Sequence, residues 1–408
     1  MTSKLFTPGR IGPIELPNRT IRSAAFEGMG RDNNPTPQLR DYHWSVAEGG
    51  VGMTTLAYAG ICRSALSFDT QIWLRPEITG SLREITDGIH ARGAKASIQI
   101  GHCGNMTHIR TAGGIPVAPN TGFNLYSPTI CRGLRKDELR QLARDFGTAV
   151  NTARDAGFDC VEVHAGHGYL ISQFLSPYTN HRRDEFGGSL ENRMTFMHMC
   201  LDEVMKAAGS DMGVIVKTNM RDGFKGGLEI DDCLTVARNI QDHGVHAMVL
   251  SGGFVSKAPM YVMRGEMPLW TMTHYMKQLW LKYGVRLAGK YMIKPEHFEP
   301  LYFLKDAEIF RRELSMPLIY VGGVIDRKGA ERVMDEGFEF LQMGRALLNE
   351  PDFVNRMKAD TAHRCGCDHV NYCIARMYSK EMACHKHLRE DLPAKIKREI
   401  EKIKERNV

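Results

Sequence analysis

Short apolar or β-branched runs alternate with longer amphipathic stretches along the chain. The runs read as strands at Thr20–Ala25, Gly52–Ala57, Ala94–Ile100, Asp159–His164, Gly213–Thr218, Ala247–Ser251, Leu318–Val321 and Phe338–Met343. Between them, helical spacing of apolar positions marks Gly80–Ala91, Asp137–Ala156, Glu191–Ala208, Ile230–Asp242, Arg327–Asp335 and Ala346–Lys358. Strands alternating with helices call for a parallel sheet, and a count of about eight favours closure. The expected fold is therefore an α/β, (β/α)8 TIM barrel over residues 1–360. No G-x-G-x-x-G marks the first strand–helix turn, which argues against a dinucleotide-binding open sheet.

Two regions break the pattern. After strand six, residues 254–312 are too long for an ordinary strand–helix connection and carry Met260, Met263, Met267, Trp270, Met272, Met276 and Trp280. Such a stretch is read either as a satellite hydrophobic cluster or as a lid over the barrel mouth that binds a flat apolar substrate. The second region is a C-terminal Cys/His-rich segment and charged helix over residues 361–408.

Composition adds little beyond exclusions. The net charge of +6 is diluted over 408 residues, and the densest basic run, Lys395–Lys402, alternates with Glu, so no nucleic-acid partner is expected. No apolar run is long enough to span a bilayer, and MTSKLFTPGRIG has no signal-peptide core, so no membrane partner is expected. Ten cysteines without a secretory signal suggest reduced thiols and a cytoplasmic location.

In a barrel, function gathers at the carboxyl ends of the strands. Those ends carry Ala24, Ala25, Phe26 and Glu27; Gly60; Gln99; His164, His167 and Tyr169; Lys217; Gly322 and Gly323; and Gly344 with Arg345. Paired glycines let a backbone approach a phosphate, and Arg345 at a helix start adds charge to that anion site. Gln99 offers a donor and an acceptor to an imide-like edge, and Lys217 a fixed positive charge. Two imidazoles and a phenol can hold a carbonyl and deliver a proton. A lone histidine at such a place is ordinarily structural; the H-x-x-H-x-Y spacing makes the cluster informative.

The run HAGHGYLISQFLSPYTNHRRDEFGGSLENR, from His164 to Arg193, resembles the signature of the old yellow enzyme family of flavin-dependent ene-reductases. Matches at Leu16–Arg19, Gln99–Gly104, Tyr320–Gly323 and Met343–Ala346 extend the resemblance over nearly the whole barrel, most similar to the barrel portion of 2,4-dienoyl-CoA reductase-like members. The resemblance implies FMN as cofactor, with NADH or NADPH as electron donor. Ala24, Ala25, Gly60, Gln99 and Lys217 would line the flavin ring, and Gly322, Gly323, Gly344 and Arg345 would hold its phosphate. His164 and His167 would bind the carbonyl oxygen of a small-molecule enone, and Tyr169 would donate the proton. Lys217 stands where most members have Arg, which keeps the charge and loses the planar fork. Glu27 departs from the usual small or hydroxyl residue and could face the substrate. Arg182, Arg183, Asp184, Glu185 and Arg193 read as loop scaffold, with Ser189 as a helix N-cap.

The expected activity is hydride transfer to the activated C=C of an α,β-unsaturated carbonyl compound. The Met/Trp-rich insertion points to a bulky or polycyclic one. The alternatives are a flavin-dependent amine or N-methyl oxidoreductase and a non-catalytic electron-relay protein; a homo-oligomer is left open. Larger family members carry a [4Fe–4S] motif near the C-terminus. Here Cys365, Cys367, Cys373 and Cys384 have the wrong spacing, with Val370 at the second ligand position, so neither a cluster nor another metal is expected. His369, His385 and His387 keep zinc open, and buried free thiols are the simpler account.

Overall fold

The computed structural model describes residues 3–124, 128–377 and 379–407. Eight parallel strands close into a barrel: β1 (Thr20–Arg22), β2 (Met53–Gly60), β3 (Lys95–Gly101), β4 (Cys160–His164), β5 (Gly213–Asn219), β6 (Ala247–Ser251), β7 (Leu318–Val321) and β8 (Phe340–Met343). The ring shuts where Thr20 pairs with Leu341. Eight helices pack outside it: α1 (Pro37–Glu48), α2 (Thr79–His90), α3 (Lys136–Asp155), α4 (Leu190–Ala208), α5 (Ile230–Asp242), α6 (Leu304–Glu313), α7 (Arg327–Asp335) and α8 (Phe353–Ala359). The expected barrel is thus the observed one, and all eight strand positions agree. The predicted Ala346–Lys358 helix is two helices, Arg345–Asn349 and α8, because Pro351 lacks the amide that would continue the first.

A hairpin of Gly9–Ile11 and Ile14–Leu16 plugs the N-terminal end. Its Ile11 and Leu16 join Ile21, Met53, Cys160, Ile215, Val249, Ile319 and Phe340 in an apolar floor. The residues above that floor are polar, which confines the chemistry to the mouth at the strands' carboxyl ends.

The insertion is shorter than 254–312. Leu304, Ala307 and Phe310 of its last stretch are buried in the main core, so α6 is the regular helix after β6. The inserted part holds three helices: Pro259–Met263, Leu269–His274 and Leu279–Met292. Met260, Met267 and Met272 are buried together with Ala375, against Met263, Leu269, Met276, Val285 and Ile293. Of the two readings of this region, the satellite cluster is the one built. Trp280 is 66% exposed and lies outside that cluster.

Close helix packing gives a direct test. A Cβ at Gly88 of α2 would sit 2.0 Å from Trp44 Nε1 of α1, whereas a Cβ at Gly80 of α2 meets nothing within 4 Å. Alanine is the better helix former by about 1 kcal/mol. Gly80→Ala should therefore raise the melting temperature slightly and Gly88→Ala lower it by several degrees, as read by calorimetry.

Candidate functional site

The polar storey above the floor is built around one carboxylate. Glu162 of β4 is fully buried; Lys217 Nζ of β5 donates to its Oε1 at 2.8 Å and Gln99 Nε2 of β3 to the same oxygen at 2.7 Å. Gln342 Nε2 of β8 donates to Oε2 at 2.6 Å, while Gln342 Oε1 accepts from Ser23 Oγ at 3.0 Å. Alternation along β4 puts Cys160, Glu162 and His164 on the inner face in ascending order. Burial lowers the Lys217 pKa from its ordinary value, and the adjacent Glu162 works against that by favouring the charged amine. Gln99 and Lys217 are thus brought to one place, by a residue that sequence reasoning had treated only as part of an apolar strand.

One storey higher, His164 ends β4 and His167 and Tyr169 follow in the loop. The His164 ring centroid lies 5.1 Å from that of His167, at 88°, and 4.6 Å from that of Tyr169, at 75°. Tyr58 closes one side, 5.2 Å from Tyr169, and these two belong to an apolar wall with Ala24, Ala57, Cys103, Met106 and Val255. His167 has a left-handed backbone, φ +59°, which costs a non-glycine residue free energy and persists only where its surroundings enforce it. They do so here. Its amide donates to Asn219 Oδ1 at 3.0 Å, its carbonyl accepts from Val255, and its Nε2 lies 2.7 Å from Ser251 Oγ. Asn219 is itself fixed by Asp222 Oδ1 and the Gly253 carbonyl. Asn219 and Asp222 went unremarked in the sequence reading; their positions at and just past the end of β5 were the available signal.

Burial, with Lys217 adding to it, pushes the His167 pKa down to about 3 and takes His164 well below its ordinary value. Both imidazoles are neutral at physiological pH. The Gly166 amide donates to His164 Nδ1 at 3.3 Å, which leaves the His164 proton on Nε2.

At the other end of the mouth, Gly322 and Gly323 adopt φ +136° and +71°. A Cβ at Gly323 would strike the Leu301 amide at 2.8 Å, whereas a Cβ at Gly344 would enter open space. Arg345 begins the short helix after β8; its Nη1 donates to Asn371 Oδ1 at 3.1 Å and its guanidinium lies over the Phe298 ring. Ala24 and Ala25 are half-buried just past β1, and the buried Gly60 ends β2, where Leu66 packs against its missing side chain. The structure corrects one placement. Glu27 does not face a substrate: it is buried, 2.7 Å from Arg22 Nη1 and 3.3 Å from His43 Nε2, and it accepts the Ala57 amide.

The loop after β4 is scaffold, as its composition suggests. Arg182 pairs with Asp184 at 2.6 Å and donates to the Pro119 and Leu134 carbonyls; Arg193 donates to the Leu175 and Gly188 carbonyls. Ser189 caps α4 by accepting from the Asn192 amide. All ten cysteines are free thiols. Cys367, Cys373 and Cys384 line one small cavity of about 20 Å³ with Arg345 and His369. Burial raises the pKa of Cys367 and takes Cys373 to about 12, so both are protonated. Among the described residues no three His, Cys, Asp or Glu side chains are grouped to hold a metal ion.

A closed barrel with a polar storey, a His–His–Tyr mouth and a glycine-lined far end defines a class of flavin oxidoreductase. The family model for the NADH:flavin oxidoreductase / NADH oxidase family matches residues 4–258, and the chain belongs to that family, as an oxidoreductase of the old yellow enzyme type. The 4,4'-dithiodibutanoate disulfide reductase of Rhodococcus erythropolis is 36% identical over 93% of this chain and 94% of that protein. The NADH oxidase of Thermoanaerobacter brockii is 27% identical over 87% of this chain, which spans only 50% of that longer protein. Among solved structures, a 2-naphthoyl-CoA reductase complex superposes with TM-score 0.79 at 20% identity, over 97% of this chain and 58% of that one. The old yellow enzyme homologue of Zymomonas mobilis gives TM-score 0.70 at 22% identity, over 88% of this chain and 94% of that one.

Two predictions follow from the site's electrostatics. Glu162→Gln leaves a buried ammonium without its counter-charge, and breaking a buried pair in this way costs about 3–5 kcal/mol. Chemical denaturation should show a loss of that order, and Glu162→Gln combined with Lys217→Met should recover most of it. The second concerns acid. His167 titrates near 3 in the folded chain and near its ordinary 6.5 when unfolded, so below pH 6.5 the unfolded state binds the extra proton. Stability should fall as pH drops from about 6.5 toward 3, by up to about 1.4 kcal/mol per pH unit for each such group. In melts between pH 7 and pH 4, His167→Asn should show a shallower slope than the wild type.

Proposed function

We propose that this protein is an FMN-dependent ene-reductase that uses NADH or NADPH to saturate the activated C=C of an α,β-unsaturated carbonyl compound. The observation that carries this reading is the convergence of His164, His167 and Tyr169 at the mouth of β4, with both imidazoles neutral. The donor set fits FMN. Gln99 and Lys217, with Ala24, Ala25 and Gly60, would line the ring; Gly322, Gly323, Gly344 and Arg345 would take the phosphate, Gly344 offering a backbone that nothing screens. When bound, FMN supplies the hydride.

The protein's own part is to hold the oxygen and move a proton. His164 presents Nε2–H, and a Ser251 hydroxyl donating to His167 Nε2 puts the second proton on Nδ1. Two neutral N–H donors hold the carbonyl oxygen. Their hydrogen bonds strengthen as that oxygen gains negative charge, so they lower the barrier more than they stabilise the bound substrate. Tyr169 then donates its phenolic proton to the α-carbon. The wall of Tyr58, Ala57 and Met106 keeps water from competing for that proton.

A second reading, reductive cleavage of an aliphatic disulfide to two thiols, is supported by the Rhodococcus relative. Anaerobic stopped-flow separates the readings. Cyclohexenone should reoxidise the reduced flavin rapidly. If only an aliphatic disulfide does so, the disulfide reading replaces ours; if an amine instead reduces the oxidised flavin, the protein is an amine dehydrogenase. Tyr169→Phe should slow enone reduction by about 10²–10⁴-fold with flavin reduction by NAD(P)H intact. An unchanged rate would remove Tyr169 as the acid.

A further inference from the structure

The inserted helix Leu279–Met292 has two unlike faces. Its inner face, with Val285 and Gly289, packs on the satellite cluster. Its outer face carries Leu279, Trp280, Tyr283, Leu287 and Tyr291, exposed at 65%, 66%, 57%, 77% and 70%. At 100° per residue these five fall within one 120° stripe along the helix, so they form a continuous patch rather than scattered surface residues.

The charge along the helix and its flanks has one sign; the acid packed nearby, Glu399 of the terminal helix, is held by the Trp270 and Thr271 amides. Between Glu266 and Glu296 the chain has no acidic residue, and Lys277, Lys282, Arg286, Lys290 and Lys294 all lie there. None of these five forms a salt bridge with a described residue. Two lie against the aromatic edge: Arg286 is over Trp270 and near Tyr283, and Lys290 is over Tyr291.

We infer that this helix docks the protein on an anionic lipid surface, with the Trp280/Leu287 stripe in the headgroup boundary and the flanking cations on the phosphates. Charge decides between the two occupants that an apolar stripe admits. A second copy meeting it about a twofold axis would set the same uncompensated cations against each other, whereas an anionic bilayer neutralises them. Trp and Tyr side chains suit the bilayer interface, being apolar with a polar tip. No helix of the described residues is long and apolar enough to cross a membrane, so the attachment is peripheral. It also departs from the expectation of no membrane partner, which rested on the lack of a spanning segment and of a signal-peptide core. Because the insertion leaves the barrel from the mouth end of β6, docking would hold the candidate site beside the lipid. The inference is independent of the proposed reaction, since binding needs no substrate.

Co-sedimentation of the flavin-loaded protein with sonicated vesicles tests it. Vesicles of phosphatidylglycerol and phosphatidylcholine (1:1) in 50 mM NaCl should carry down most of the protein, and phosphatidylcholine alone at least tenfold less. Trp280→Ser with Leu287→Ser should reduce partitioning at least tenfold with melting temperature and flavin content unchanged, and Lys282→Gln with Lys290→Gln should do so at low salt. Failure of the wild type to bind the anionic vesicles overturns the inference. So does equal binding by the double serine variant. A change in oligomeric mass of that variant, without vesicle binding by the wild type, would assign the stripe to self-association instead.

Discussion

A carboxylate sealed inside a barrel is costly unless its oxygens are paired and hydrogen-bonded, and Glu162 is met from three strands, the adjacent β3 and β5 and β8 across the barrel. That requirement organises the interior. Lys217 cannot swing into the apolar floor, Gln99 is held with its amide nitrogen toward Glu162, and Gln342 bridges onward to Ser23. The floor below stays dry because Ile215, Val249, Ile319 and Phe340 fill it. The mouth above can be polar because the charged storey beneath it is already neutralised. The site is therefore pre-organised by a salt-bridged plug, and the side chains that face it are second partners of groups committed elsewhere.

The same plug sets the protonation state of the mouth. An uncompensated ammonium under two imidazoles would repel any proton they took up; a compensated one leaves desolvation as the larger influence, and Lys217 only adds to it. Neutral imidazoles donate through one N–H each, and local partners hold both rings in place. Gly166 fixes the His164 proton from its own loop, while Asn219 holds the His167 backbone and Ser251 holds its ring from the ends of β5 and β6. The left-handed backbone of His167 is thus sustained by neighbouring strands, and its strain is borne by the barrel rather than by the loop.

The eight strands were legible because their apolar runs are short and evenly separated, and register follows from burial on both faces. The His–His–Tyr cluster was legible from spacing inside one motif. Glu162 was not: an acid at the centre of Cys160–His164 looks like the polar half of an alternation until the barrel closes and turns it inward. Glu27 failed for the complementary reason, since its partners Arg22 and His43 come from β1 and α1 and nothing local announces the pairing. In the insertion, composition correctly marked an unusual region but could not say which aromatics face in. Methionines fill an irregular satellite core, and Trp280 is left outside because the stripe it lies on is one turn-face away from Val285 and Gly289.

The C-terminal segment shows how a position can change its task with a single side chain. Val370, where a thiolate would be needed for the family's cluster spacing, is buried with Tyr372, Leu392, Ile396, Ile400 and Ile403, so the segment anchors the terminal helix Ala394–Arg406. Next to it, Asn371 has a left-handed backbone and is fully engaged. Its oxygen accepts from Arg345, and its amide nitrogen donates to the Arg264 and Glu266 carbonyls of the insertion. One asparagine therefore joins the glycine-lined end of the mouth, the inserted helices and the terminal extension. Because its bonds reach both Arg345 and the insertion, a shift in the extension must either break one of these hydrogen bonds or move Arg345 with it. The extension is in this sense part of the site's frame rather than an appendage to the barrel.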